Sequence, residues 1–391
     1  MAMLPPGAAH SRNVLIERAG EAASVGDLFG AASERLRRLV PFDAAVWMAT
    51  DPATSLPTAP TRSENLANRG LEQDDCMHIW ELELRDEDVV PYRDLARSEF
   101  PAAGLRLATG DRPARSPRYR GVLRDLGFDD ELRAVLRVDG NPWASLSLFR
   151  DEGQPAFDAR EAEVVASLSG PLAVAVRDHS QVPAPLSVPG EGPGLILFGP
   201  DGDLVSVNDD ALAWLDEVTW LDERRPEFER GFAEASAFAI RIPLVVLATL
   251  VQARAIAERR QPGTARARLR SPASGRWLVY HASCLREPSG EIGNTALVIE
   301  PANASEVAPI IVQAYDLSWR EEQITQLIAR GLGTAEIAGR LHLSAHTVRD
   351  YVKAIFEKVA VSSRGELVAK LFADHYGPLH YDPANHEVVD D

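Results

Sequence analysis

The spacing of apolar and polar residues changes period several times along the chain, and each change marks an element. From Asp27 to Leu39, the residues Leu28, Ala32, Leu36 and Leu39 recur at helical spacing, and Pro41 then leads into AAVWMA (44–49), a strand. ELRAVLRV and WASLSLF alternate on either side of Asp139-Gly140-Asn141-Pro142, the pattern of a β-hairpin. Asp158 stands three residues before Glu161, a capping box, and opens a helix whose apolar stripe is Val165, Leu168, Leu172 and Val176. Helix, strands and a closing helix around a polar middle make one mixed unit over 12–180.

VPAPLSVPGEGPG is rich in Pro and Gly and sets a linker at 181–194. A second mixed unit is expected over 195–302. LILF and LVSV flank Gly199-Pro200-Asp201-Gly202-Asp203 as a hairpin, and short helical stretches follow. An apolar helix is expected around 243–257, then the strands ARARLR, RWLVYHASCL and TALVIE.

From Leu317 onward the pattern becomes short, well-punctuated helices, and 311–376 reads as an all-α unit. Ser318 and Glu321 form a capping box, Ile324, Leu327 and Ile328 share a face, and Gly331 stops the helix. Thr334 is expected to cap a second helix bearing Ile337, Ala338 and Leu341. After the short His342-Leu343 connection, Ser344 caps a third helix, and Ser363 with Glu366 opens a fourth. Two helices joined by so short a turn inside a four-helix unit read as helix-turn-helix. On the third helix Val348, Val352, Ile355 and Val359 face inward. Arg349 and Lys353 lie four apart on the opposite face, with His346 one turn earlier and Lys358 near the far end.

Charge sharpens this picture. The 391 residues carry a net charge of −17. Residues 311–376 are neutral, with eight Lys/Arg and eight Asp/Glu, and 377–391 is an acidic tail without Lys or Arg. Any contact with nucleic acid must therefore come from a small local face. The chain has three lysines, Lys353, Lys358 and Lys370, all in this last helical unit. Without an earlier lysine, the first 310 residues cannot hold a Walker A loop, a receiver-domain lysine or a kinase lysine. Two cysteines, Cys76 and Cys284, are too few for a disulfide framework, and the apolar run near Ile242–Val251 is too short to span a bilayer. No secretory signal pattern opens the chain, and a cytoplasmic protein is expected.

LSWREEQITQLIARGLGTAEIAGRLHLSAHTVRDYVKAIFEKVAVSSRGEL resembles the LuxR-type DNA-binding domain of bacterial transcription regulators over about 60 residues. It carries R-E at Arg320-Glu321, G-L at Gly331-Leu332 and E-I-A at Glu336-Ile337-Ala338. S-x-x-T-V-R runs from Ser344 to Arg349, and Lys358, Val361 and Arg364 complete the pattern. Residues 12–180 resemble a GAF domain and 195–302 a PAS domain, both by element order. The expected fold is therefore multidomain α+β, with GAF-like and PAS-like antiparallel-sheet sensor domains followed by an all-α four-helix helix-turn-helix domain. The resemblance implies a homodimer that reads double-stranded DNA, an inverted repeat, with the third helix in the major groove. Arg349, Asp350 and Lys353 occupy positions the family uses for base contacts, and Ser344, Thr347 and the helix N-terminus are placed for phosphates. With His346, Thr334, Lys358 and Arg364 they form the candidate DNA-binding set. Three departures bear on operator and affinity: Gly333-Thr334-Ala335 replaces the usual Ser-Asn-Lys, Tyr351 stands where His is common, and Ala360 replaces a frequent Gly.

The sensor units offer Trp47, Trp80, Tyr92 and Trp143 as candidate ligand-binding residues, although aromatics of this size are core residues first. His281 and Cys284 fall on an apolar strand and are expected to pack, and ELELRDED (81–88) reads as a solvated acidic face. DDCMH (74–78) lacks a second ligand pair at metal-like spacing, so no metal and no cofactor is expected. No G-x-S-x-G, H-E-x-x-H or G-x-G-x-x-G occurs, and no enzyme is expected. The function that follows is sequence-specific transcriptional control, modulated by a small molecule or partner at the sensor domains. The alternative is a sensor whose degenerate helix-turn-helix no longer reads DNA.

Overall fold

The computed structural model describes residues 6–66, 69–71, 73–85, 88–181, 192–218, 242–302, 306, 310, 313–315, 317–368 and 370. Most of the 181–194 linker, the segment 219–241 and the 377–391 tail lie outside these residues. The chain divides into two compact units. One comprises residues 1–179, 192–274 and 278–300, and the other 180–191, 275–277 and 301–391.

The first unit holds two five-stranded sheets. In the first sheet β1 (Ala44–Thr50), β2 (Pro57–Glu64), β3 (Ala102–Gly104), β4 (Phe128–Val138) and β5 (Asn141–Asp151) lie in the order β2-β1-β5-β4-β3. The second repeats that order with β6 (Gly194–Phe198), β7 (Leu204–Val207), β8 (Arg266–Arg270), β9 (Trp277–Arg286) and β10 (Ile292–Pro301), as β7-β6-β10-β9-β8. The β4–β5 hairpin turns on Asp139 and Gly140, both at positive φ, as a two-residue turn matching strand twist requires. β2 contains Pro57 and Pro60. It forms at a sheet edge, where a missing N–H donor is tolerated.

α1 (Pro6–Gly20), α2 (Val25–Leu39) and α6 (Ala159–Asp178) accompany the first sheet. Ser24 caps α2 by accepting from the Asp27 N–H, and its stripe Leu28, Ala32 and Leu36 is buried. The Asp158–Glu161 capping box forms as expected and orients Val165, Leu168, Leu172 and Val176 inward. α3 (Gln73–Leu84), α4 (Tyr92–Arg97) and α5 (Leu105–Thr109) fill the polar middle. In the second half α7 (Asp209–Asp216) precedes α8 (Leu244–Ala257), whose Val246, Leu247, Ala248, Leu250 and Val251 are all buried. An apolar helix with no polar stripe is buried all round, as the sequence pattern implies. Arg85, just after α3, binds Glu258 at the end of α8 through the Nε–Nη2 edge of its guanidinium, Nη2–Oε1 at 2.6 Å and Nε–Oε2 at 3.1 Å. His281 departs from expectation. β9 alternates after Tyr280, which turns His281 to solvent while Tyr280 and Ala282 face the core.

The second unit is helical: α9 (Trp319–Ala329), α10 (Thr334–Leu341), α11 (Ala345–Val359) and α12 (Arg364–Val368). Ser318 and Glu321 bond reciprocally at the start of α9, and Gly331 adopts φ +84° just beyond its end. Thr334 does not cap α10. The N-cap is Gly333, whose N–H donates to the Glu336 carboxylate at 2.7 Å, so Thr334 is the first helical residue. The core joins Ile324, Ile328, Ile337, Val348, Ile355 and Val359, each nearly or fully buried. No described helix is long and apolar enough to cross a membrane.

Candidate functional site

α11 is punctuated at both ends. Ser344 Oγ accepts from the Thr347 N–H at 3.0 Å, and Ala360 ends the helix in the left-handed region at φ 53°. Between these points, Val348, Ile355 and Val359 anchor one face in the core, each worth about 1.5–3 kcal/mol of burial. Val352 is half-buried on the same seam. The opposite face presents His346, Arg349, Asp350 and Lys353, all exposed. His346 Nδ1 lies 3.0 Å from Asp350 Oδ2, and Lys353 Nζ lies 3.9 Å from Glu357 Oε1, with these side chains between 67% and 80% exposed. Exposed pairs of this kind contribute little and open at little cost. Arg349 makes no hydrogen bond or ion pair among the described residues.

The rest of the candidate set is engaged inside the unit. Lys358 Nζ donates to Glu321 Oε2 at 2.7 Å, joining the far end of α11 to the cap of α9. Burial alone would raise the Glu321 pKa, but Lys358 and the Ser318 N–H and hydroxyl outweigh it and hold the carboxyl below its usual range. Arg364 Nη1 donates to the Leu332 carbonyl and Nη2 to Thr334 Oγ1, each at 2.9 Å. The geometry thus separates one exposed row, His346, Arg349, Asp350 and Lys353 with Ser344 at its start, from an inner brace of Thr334, Lys358 and Arg364. Thr347 is half-buried, its Oγ1 2.8 Å from Ser344 Oγ.

The four aromatic candidates of the sensor half also separate. Trp80 and Tyr92 line a cavity of about 80 Å³ beside the first sheet. Trp47 is fully buried elsewhere, stacked on Phe29 of α2 at 5.7 Å, because β1 alternation sends Val46 and Met48 to the cavity and Trp47 to the other side. Trp143 is buried outside the cavity lining, near the β4–β5 turn.

Within the acidic run 81–88, the described Glu83 and Asp88 side chains are not solvated. Glu83 and Asp88 are buried against the cavity wall in a network with Arg118, Glu131 and Arg133. Arg133 Nε donates to Glu131 Oε1 at 2.9 Å and Nη1 to Glu83 Oε2 at 2.8 Å. Arg118 Nε and Nη2 both bind Glu131 Oε2, at 3.0 and 2.8 Å, and Nη1 pairs with Asp88. Ser147 Oγ donates to Glu131 Oε1 at 2.6 Å and lies 2.7 Å from the Tyr92 hydroxyl. Burial would raise the Glu131 pKa, yet the two guanidinium groups bring it down to about 2. The sequence signal for this network was available in DDELRAVLR, where Glu131 and Arg133 sit two apart on one face of a buried strand and Ser147 opposes Arg133 in register. Half-buried Cys76 also lines the cavity, its thiol pushed up to about 12 by burial and by Asp75. Among the described residues, no group of three or more His, Cys, Asp or Glu is placed to hold a metal ion.

Residues 316–371 match the family model of bacterial regulatory proteins, luxR family, a family of regulators and not of enzymes. The transcriptional regulatory protein DesR of Bacillus subtilis (strain 168) is 38% identical over 58 residues, which span 15% of this chain and 29% of that protein. Among solved structures, Escherichia coli SdiA aligns over 95% of this chain and 98% of its own at 11% identity, with a TM-score of 0.32. The phage VqmA–DPO complex aligns over 50% of this chain and 87% of its own at 17% identity, with a TM-score of 0.23. The family match rests on the C-terminal helical unit.

Proposed function

With a luxR-type helix-turn-helix at the C-terminus as the premise, we propose that this protein is a sequence-specific, DNA-binding transcriptional regulator. It acts as a homodimer on an inverted repeat in double-stranded DNA. α11 enters the major groove, where Arg349 and Lys353 meet the paired acceptors of guanine. His346 and Asp350 flank them, and Asp350 is suited to accept from a cytosine amino group. Ser344, Thr347 and the α11 N-terminus hold a backbone phosphate. The observation that carries this reading is the exposed Arg349, unengaged among the described residues, on a helix anchored by Val348, Ile355 and Val359.

In this reading the two sheets are the GAF-like and PAS-like sensor modules, supported by the repeated strand order. A small molecule or partner bound there changes occupancy at DNA by favouring one of two arrangements of the dimer. The test is selection from a random duplex pool by the full-length protein, beside an Arg349→Ala/Lys353→Ala variant. Enrichment of an inverted repeat by wild type alone is expected. Equal enrichment by the variant would remove α11 from the groove. A pool that neither protein enriches, with or without cell extract as a source of ligand, would leave the helix-turn-helix degenerate.

A further inference from the structure

The cavity beside the first sheet has room for more than one water, whose own requirement is about 10–15 Å³. Its wall is mostly apolar, with Met48, Leu66, Ile79, Trp80, Leu123 and Phe128 contributing. One corner is polar, formed by Tyr92, Ser147, Glu131 and Arg133. We propose that this cavity binds a small uncharged molecule, mostly apolar and about one ring in size, with one hydroxyl, amide or carbonyl group against Tyr92 and Arg133. The inference rests on the sensor reading of the N-terminal unit and gives its ligand a chemical class.

The hydrogen-bond inventory selects that class. Glu131 Oε1 already accepts from Arg133 Nε and Ser147 Oγ, and Oε2 from Arg118 Nε and Nη2. Both oxygens are filled, so an incoming ammonium finds no acceptor on the one carboxylate in the lining. An incoming carboxylate meets two guanidinium groups that three carboxylates, Glu83, Asp88 and Glu131, already neutralise. An ammonium would lose its hydration without an acceptor, and a carboxylate would bring a fourth negative charge to two guanidinium groups. Because Ser147 gives its proton to Glu131, the Tyr92 hydroxyl donates to Ser147, and the phenol oxygen keeps lone pairs for a ligand donor. Arg133 Nη2 takes part in none of the network bonds and remains a donor for a ligand acceptor.

The position of the cavity also gives a ligand a route outward. Cys76, Ile79 and Trp80 of α3 line it, and Leu244, the first residue of α8, closes part of it from the second half of the unit. The Arg85–Glu258 pair ties the far ends of those two helices together. A ligand therefore touches both α3 and α8, which pack against each other.

The test is titration of the full-length protein with benzyl alcohol, toluene, benzoate and benzylamine, read by calorimetry and by the melting temperature. Benzyl alcohol is expected to bind saturably and raise the melting temperature, with benzoate and benzylamine at least about tenfold weaker. Tyr92→Phe is expected to weaken benzyl alcohol several-fold and leave toluene unchanged. Ile79→Trp, which fills the cavity, is expected to abolish binding, with Leu126→Phe as the second filling variant should the first not fold. Equal or tighter binding of either charged probe overturns the proposal. So does binding that survives both filling variants, or no saturation by benzyl alcohol at about 10 mM, weaker than the millimolar range. These titrations contain no DNA, so their failure leaves operator selection standing, and a failed selection leaves the titrations standing.

Discussion

Lys358 Nζ and the Ser318 N–H share one acceptor, Glu321 Oε2, at 2.7 Å each. A single carboxylate thereby caps α9 and holds the far end of α11. Lys358 belongs to the family pattern, and its charge alone would suit a phosphate. Its engagement with Glu321 predicts a brace. Lys358→Ala should lower the stability of the helical unit by about 1 kcal/mol, a modest figure because the lysine is 38% exposed and screened. The slope of log affinity against log salt should stay close to wild type. A slope reduced by about one, at unchanged melting temperature, would make Lys358 a phosphate contact instead.

Arg349 has the opposite signature. Its exposed side chain supports nothing in the fold, so Arg349→Ala should leave the melting temperature unchanged. On the selected operator it should cost about 1–3 kcal/mol and relax preference at one base pair, as loss of a bidentate contact to guanine does. Binding measured across single-base operator variants checks both parts. Uniform weakening on every variant would place Arg349 on phosphate.

Ala360 ends α11 at φ 53°, ψ 57°, a conformation that costs an L-residue about 1–2 kcal/mol. Glycine adopts it without that penalty, although it also loses more freedom on folding. Ala360→Gly should therefore stabilise the helical unit by roughly 0.5–1 kcal/mol. Urea midpoints of the two proteins measure it, and a destabilised variant would show that the Ala360 methyl contributes packing.

The helical unit was legible almost residue by residue, because caps and stops are local. Ser318–Glu321, Gly331, Ser344 and the Val348–Ile355–Val359 seam all appear where the periodicity places them. Thr334 misled because a threonine before an apolar run looks like a cap, whereas Gly333 takes that position and Thr334 Oγ1 accepts from Arg364. The sheets were legible where a hairpin announces itself, as at Asp139-Gly140. β2 was not, since an edge strand keeps its prolines. Least legible was the charge around the cavity. ELELRDED looks solvated because the partners of Glu83 and Asp88, Arg133 and Arg118, come from 30 or more residues further along the chain. A buried ion network is assembled by topology, and local spacing records only its Glu131–Arg133 pair, not the partners of Glu83 and Asp88. β1 alternation separates Trp47 from Val46 and Met48, but which side of the strand carries the cavity is set by the packing of α3 and α4, which brings Trp80 and Tyr92 there.

Glu131, buried between Arg118 and Arg133, supplies a prediction in pH. Its ordinary value is 4.5, and burial would raise it, but the two guanidinium groups lower it to about 2 in the folded protein. A carboxyl depressed by folding contributes stability that is fully present above its unfolded value. That contribution is lost as pH falls from about 4.5 to about 2, on the order of 3 kcal/mol. Glu131→Gln keeps the shape but leaves two buried guanidinium groups short of a carboxylate, and should destabilise by roughly 3–5 kcal/mol at neutral pH. Because glutamine does not titrate, the stability gap between wild type and variant should narrow as pH is lowered through this window. Urea unfolding of both proteins at neutral pH and at two points below pH 4.5 measures the gap. A gap constant with pH would mean that Glu131 is not held ionised by its arginines, and the charge balance of the cavity corner would have to be redrawn.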